Sequence, residues 1–144
     1  MKKPVIFFIV SFALALLNGY FFNYINDTYL HFDVNQNNKI SPEEFNFIAT
    51  CIAPFIETFL FQYLAYLILS RWIGIKNQML CIIIMSIIFS SMHDYHWLYI
   101  IMTFFGGLIL NTLYLYYYRH TRYSFMLTVL FHALFNLYGL LFVL

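Results

Sequence analysis

Four polar residues interrupt the long apolar runs of this sequence. Glu57 lies inside the run 53–62, His93 ends a later run, and His132 and Asn136 lie four residues apart in the last one. An ionised carboxylate at bilayer depth costs at least about 2.5–3.5 kcal/mol on insertion scales, so a buried Glu marks a functional site by default. Carboxylates and imidazoles transfer protons and bind metal ions. We therefore predict one shared polar site built from these four residues.

Metal binding is one chemistry that this set allows. Glu57, His93 and His132 could form a zinc site of two histidines and one carboxylate. The sequence contains no His-Glu-x-x-His arrangement, by which zinc sites on helices are usually recognised. Zinc at these three residues is therefore kept as an alternative. A small transporter that uses Glu57 as a proton-coupled site is a second alternative.

The elements that carry these residues are membrane spans. The chain has 144 residues, of which 63% are hydrophobic and only 9% are charged, which indicates one integral membrane domain over residues 1–144. A helix needs about 20 apolar residues to cross a bilayer. Four runs reach that length and a fifth is shorter: 5–25, 46–70, 97–118, 124–144 and the short 78–92. We predict an all-α polytopic bundle of about five spans in the cell membrane.

The charged residues predict how the chain crosses the lipid bilayer. Five spans place six of the seven cations on one face, and positively charged loops face the cytoplasm. These six are Lys2, Lys3, Arg71, Lys76, Arg119 and Arg122. The other face carries Asp27, Asp33, Glu43, Glu44 and Asp94 with Lys39. We expect a cytoplasmic N-terminus, an extracytoplasmic C-terminus and a retained first span, and the near-zero net charge argues against a nucleic-acid partner.

Three short motifs resemble those of a known family. Residues 54–62 are similar to a Glu-Glu-x-x-x-Arg helix preceded by proline, Phe89 to His93 to a Phe-x-x-x-His helix end, and His132 to Asn136 to a His-x-x-x-Asn helix. These are signatures of the CAAX-prenyl-protease and bacteriocin-processing (CPBP, or Abi) family of glutamic-type intramembrane endopeptidases. The resemblance covers about residues 46–139, in the family's order.

The resemblance implies a peptidase that requires no cofactor. In that family's mechanism, Glu57 would be the general base and would hold a water with His93, while His132 and Asn136 would stabilise the oxyanion. The substrate would be a membrane-associated protein or peptide, either prenylated or of leader type. The family's second Glu and its Arg are Thr58 and Gln62 here. This departure leaves a catalytically silent scaffold or peptide-immunity factor of the same family as an alternative.

The polar segment 33–44 resembles an EF-hand calcium loop. Its candidate ligands fall at the loop's ligand positions: Asp33, Asn35, Asn37, Lys39 through its carbonyl, Ser41 and Glu44. Asn38 stands where the EF-hand loop has glycine. The same residues also fit a simpler structure, because Ser41 to Glu44 match a capping box with proline at the first helical position. We hypothesise that this loop binds calcium weakly on the extracytoplasmic side.

Overall fold

The computed structural model describes residues 2–32 and 41–142, and over these ranges it contains helices and no strand. Five helices follow one another: α1 (Lys2–Ile25, extended by a π-helical turn at Asn26–Leu30), α2 (Pro42–Trp72), α3 (Gln78–Ser91), α4 (Trp97–His120) and α5 (Ser124–Phe142). Within the described residues, four of them are long and apolar enough to cross a membrane, and α3 is the shorter one. The all-α polytopic prediction is confirmed.

Helix α2 begins at a complete capping box and then alternates between two helical forms. Ser41 accepts a hydrogen bond from the Glu44 N–H, and the Glu44 carboxylate accepts one from the Ser41 N–H. The later part of α2 contains three π-helical stretches, in which N–H groups bond five residues back: Ile48–Ile52, Thr58–Leu64 and Ile68–Trp72. Such wider turns are frequent at functional sites.

Helix α4 lies at the centre and packs against α1, α3 and α5. The Asn18 side chain of α1 donates to the Met102 carbonyl at 3.0 Å, and the Tyr117 hydroxyl donates to the Pro4 carbonyl at 2.9 Å. Against α3 the approach is close, because a Cβ at Gly107 would lie 3.3 Å from the Ser86 Cα. Small residues permit this kind of packing in membranes. Large apolar side chains cover the outer surface, as expected for a face in contact with lipid.

The two ends of the bundle differ in charge. The Tyr117–Pro4 hydrogen bond brings the start of α1 beside the end of α4, where Arg119 lies. Ile75 packs in the cluster that contains Tyr114 of α4, so the α2–α3 connection lies at this basic end too. The opposite end carries Asp27 at the end of α1 and two glutamates at the start of α2. The separation of charge that the sequence indicates is therefore present in three dimensions.

Candidate active site

Glu57 and His93 reach the site from α2 and from the segment that follows α3. Glu57 ends the α-helical stretch Ala53–Glu57. His93 lies beyond the last turn of α3, where its Nδ1 is 2.8 Å from the Phe89 carbonyl oxygen. A carbonyl only accepts, so Nδ1 carries the proton and Nε2 presents a lone pair. Burial lowers the pKa of His93, and the bond to Phe89 opposes this shift only in part. The ring is thus neutral near neutral pH.

The Glu57 carboxylate contacts two imidazoles. Its Oε2 lies 3.8 Å from His93 Nε2 and 3.6 Å from His132 Nε2. Both separations exceed hydrogen-bond length, yet atoms this far apart can each lie within hydrogen-bonding distance of one shared small molecule. The structure therefore brings Glu57, His93 and His132 together at one point, and their catalytic roles stay predictions.

The Phe89 ring contacts both histidine rings. Its ring centroid lies 4.5 Å from that of His93 and 5.9 Å from that of His132. Phe61 of α2 packs edge-on against Phe89 at 5.8 Å. These aromatic contacts link α2, α3 and α5 beside the two imidazole rings.

A cavity of about 850 Å³ contains the site. Glu57, His93, His132 and Asn136 all line it. The end of α1 and the residue that follows it also contribute polar side chains to the lining: Asn23, Asn26, Asp27 and His31. The volume falls within the range of about 300–1,000 Å³ that ligand pockets typically occupy.

Asn136 makes a long-range hydrogen bond that its motif does not indicate. Its Nδ2 donates to the Ala49 carbonyl of α2 at 2.9 Å. Asn136 follows His132 by one helical turn, so α5 contacts α2 through both residues. One of the two amide hydrogens of Asn136 is used in this bond, and the other is available to a molecule in the cavity.

The positions that depart from the family pattern are deeply buried. Thr58 and Gln62 have no exposed surface. The Gln62 amide donates to Asn111 Oδ1 at 3.2 Å, and Asn111 Nδ2 donates to Ser86 Oγ at 3.0 Å. The Ser86 hydroxyl in turn donates to the Ile82 carbonyl at 2.7 Å. A neutral hydrogen-bond network thus connects α2, α4 and α3 through Gln62, the position of the family's Arg, whereas the buried Thr58 hydroxyl has no hydrogen-bond partner among the described residues.

Neither metal hypothesis gains support from the described residues. In the part of the chain that the structure describes, no group of three or more His, Cys, Asp or Glu side chains is arranged to hold a metal ion. Zinc at Glu57, His93 and His132 stays an untested alternative. Of the candidate calcium ligands, Ser41 and Glu44 serve as a helix cap, and four lie outside the described residues: Asp33, Asn35, Asn37 and Lys39.

The sequence did not identify every residue of the cavity. Tyr99 lines it and lies 6.1 Å from the His93 ring, but a tyrosine near a span end suggests only an interfacial anchor. For the polar residues at the end of α1, the sequence does contain an indication. Asn23, Asn26 and Asp27 follow one another at helical spacing, which places a polar stripe on one face of an apolar helix.

A comparison with protein families gives one result. The model of the family described as type II CAAX prenyl endopeptidase, Rce1-like, matches residues 44–138, which is more than half of the chain. The matched segment includes Glu57, His93, His132 and Asn136. No curated protein and no solved structure matches the chain.

Proposed function

The chain belongs to the Rce1-like family of type II CAAX prenyl endopeptidases, and from this membership we propose that it hydrolyses a peptide bond within the membrane by a glutamic mechanism. The family is one of proteases, and the apolar helices make the chain a multi-pass membrane protein. The observation that carries the proposal is the contact of one carboxylate with two imidazoles inside a cavity of about 850 Å³. The substrate we propose is a membrane-associated protein or peptide, prenylated or of leader type.

The proposed reaction uses one water. Glu57 takes a proton from this water while the lone pair on His93 Nε2 accepts the other hydrogen as a hydrogen bond, and the water oxygen attacks the substrate carbonyl carbon. His132 and the free amide hydrogen of Asn136 then donate to the oxyanion. The C–N bond breaks as the proton held by Glu57 passes to the leaving nitrogen. The bilayer restricts access to bulk water, so the cavity's polar wall at the end of α1 supplies the wetted surface.

The replacement of the family's Glu and Arg does not remove any group from this reaction. Thr58 and Gln62 are fully buried, and Gln62 bonds Asn111 rather than a residue of the cavity lining. We therefore propose that the ion pair of the family supports structure and that the neutral network replaces it. The alternative of a silent scaffold or immunity factor rests on this same departure.

The test compares membrane proteomes of cells that express the wild type, Glu57→Gln or Glu43→Gln. Glu57→Gln removes the base and keeps the side-chain volume, whereas Glu43 is an exposed carboxylate outside the cavity lining. We expect uncut precursors to accumulate with Glu57→Gln and not with Glu43→Gln, while all three proteins insert equally. Full processing by Glu57→Gln would exclude the glutamic mechanism.

The same variants separate the remaining alternatives. A substrate peptide found by proteomics is cut in proteoliposomes with and without a zinc chelator. We expect no effect of the chelator, and loss of cleavage that added zinc restores would establish the metal mechanism instead. Binding of the peptide without cleavage by wild type would indicate a scaffold, and proton flux that Glu57→Gln abolishes would indicate a transporter.

A further inference from the structure

The Ala49 carbonyl of α2 has lost its helical donors. In a helix, this oxygen would accept from the N–H four or five residues later, which belongs to Ala53 or to residue 54. The Ala53 N–H donates to the Ile48 carbonyl. Residue 54 is Pro54, which has no N–H to give. Ala49 lines the cavity, so either water there or a neighbouring side chain must supply a hydrogen bond to this oxygen.

Asn136 of α5 supplies the hydrogen-bond donor that the helix lacks. Its Nδ2 donates to the Ala49 carbonyl at 2.9 Å, across 87 residues of sequence. Both residues are half-buried and line the cavity, so this bond lies at the cavity wall. Proline residues within membrane helices persist when a neighbouring helix satisfies the group that they free, and Asn136 does this for Pro54.

The bond also determines how α5 lies against α2. Ala49 precedes Glu57 by eight residues, and Asn136 follows His132 by four. The two helices are therefore joined at two points, by Asn136 to Ala49 and by His132 to Glu57. Loosening the first contact would allow α5 to shift, and the distance from His132 Nε2 to the Glu57 carboxylate would change with it.

We propose that Asn136 is a positioning residue: by bonding the carbonyl that Pro54 leaves free, it fixes α5 on α2 and holds His132 against Glu57. This role is separate from donation to an oxyanion, since the amide has two hydrogens. The structural part stands without any enzymatic activity, and only the kinetic part rests on the proposed function.

A double-mutant cycle tests the structural part. Pro54→Ala restores an N–H that can bond Ala49, so Asn136→Ala should then be tolerated better. We expect Asn136→Ala to lower the Tm in detergent by several degrees in the wild type and by less than half as much in the Pro54→Ala background. The matched control is Pro42→Ala, the same substitution at the first position of α2, where no helical donor is lost. In that background the full loss should persist.

Equal losses of Tm in all three backgrounds would overturn the proposal. If Asn136→Ala does not accumulate as folded protein, Asn136→Asp replaces it, because a protonated Asp still donates at low pH and its anion does not. Its Tm should then fall as the pH rises, and less steeply with Pro54→Ala. A pH dependence that Pro54→Ala leaves unchanged would also overturn the proposal.

A kinetic rescue distinguishes positioning from chemistry. If peptide cleavage is established, Asn136→Ala should lose kcat, and Pro54→Ala should restore part of the loss, at least about threefold, with KM little changed. A purely oxyanion-donating Asn136 would give no rescue while the Tm cycle stays additive. If no variant or wild type cleaves peptide, the proposed function fails and the Tm cycle still decides the positioning role.

Discussion

At the scale of single residues, the atoms already engaged in hydrogen bonds define what the remaining atoms can do. His93 uses Nδ1 on the Phe89 carbonyl and therefore presents Nε2 to Glu57. Asn136 uses one amide hydrogen on Ala49 and retains the other. The hydrogen-bonding capacity that His93 and Asn136 present to the cavity is thus defined by the bonds that they make to backbone carbonyls.

Glu57, His93, His132 and Asn136 could be selected from the sequence because polar groups are conspicuous in apolar runs, and all four line one cavity. It did not indicate the network of Gln62, Asn111 and Ser86. Gln62 and Asn111 lie 49 residues apart in the sequence, and Asn111 and Ser86 lie 25 apart. A single amide or hydroxyl in a membrane helix does not indicate which residue it will bond. Only packing of α2, α3 and α4 brings these groups together.

The network should contribute measurably to stability. Asn111→Leu keeps the volume but removes the acceptor of Gln62 and the donor to Ser86, which leaves the Gln62 amide buried and unpaired. We expect the free energy of unfolding to fall by about 1–3 kcal/mol, measured by denaturation in mixed micelles. Because an apolar pair avoids this unpaired amide, the double variant Gln62→Leu/Asn111→Leu should be less destabilised than Asn111→Leu.

Thr112→Val is the matched control for that measurement. Thr112 is exposed, and its hydroxyl bonds only the Leu108 carbonyl of its own helix at 2.6 Å. Its replacement should change the stability by less than about 0.5 kcal/mol. If Asn111→Leu is no more destabilised than Thr112→Val, the buried network contributes nothing to stability.

At the scale of elements, the sequence predicted the helices better than their internal geometry. Span lengths follow from counting apolar residues, and the runs 97–118 and 78–92 correspond closely to α4 and α3. The sequence does not predict the π-helical stretches of α2. Apolar residues occur on every face of this helix, so they show no periodicity from which its pitch could be judged. The sequence shows Pro54 only as part of a motif, and its effect on the Ala49 carbonyl depends on Asn136 of the neighbouring helix α5.

The contact of α3 with α4 should be intolerant of added volume. A Cβ on Gly107 would lie 3.2 Å from Phe89 Cδ1 and 3.3 Å from the Ser86 Cα, so the α3 backbone would have to move. We expect Gly107→Ala to destabilise the protein by about 1–3 kcal/mol and to lower kcat, because Phe89 supports both histidines.

The neighbouring glycine provides the control. A Cβ on Gly106 would meet only the Asn18 amide nitrogen, at an ordinary 3.8 Å. Gly106→Ala should therefore be neutral or slightly stabilising, since alanine favours helix more than glycine does. Thermal melting and peptide cleavage of the two variants, side by side, check the prediction. Equal behaviour would mean that close α3–α4 packing is not required.

The segment before α2 carries the calcium hypothesis. If calcium binds there, millimolar calcium should raise the stability by RT ln(1 + [L]/Kd), or about 0.4–1.4 kcal/mol at one to ten times Kd, and magnesium should do less. Glu44→Gln removes a carboxylate ligand yet keeps a side chain suited to the capping box. The shift of Tm with calcium should vanish in this variant. An equal shift in both proteins, or in neither, would leave only a turn and a helix cap.

At the scale of the whole molecule, the separation of charge predicts the orientation in the membrane. Lys76 lies at the basic end and Glu43 at the acidic end, and both are exposed. With Cys51 and Cys81 replaced by alanine, a single cysteine at each position should report its side. We expect an impermeant maleimide to label Glu43→Cys in intact cells and to label Lys76→Cys only after lysis, because basic loops face the cytoplasm. The reverse pattern would invert the topology.

The division of the cavity wall between α1 and the other helices has a consequence for substrate preference. The family match begins at residue 44, and every residue that we assign to bond breaking lies within it. Helix α1 lies outside the match, yet its end forms part of the surface that a bound peptide would touch. If the proposed function holds, substitutions at the end of α1 would change the preference for substrate without changing the residues assigned to bond breaking.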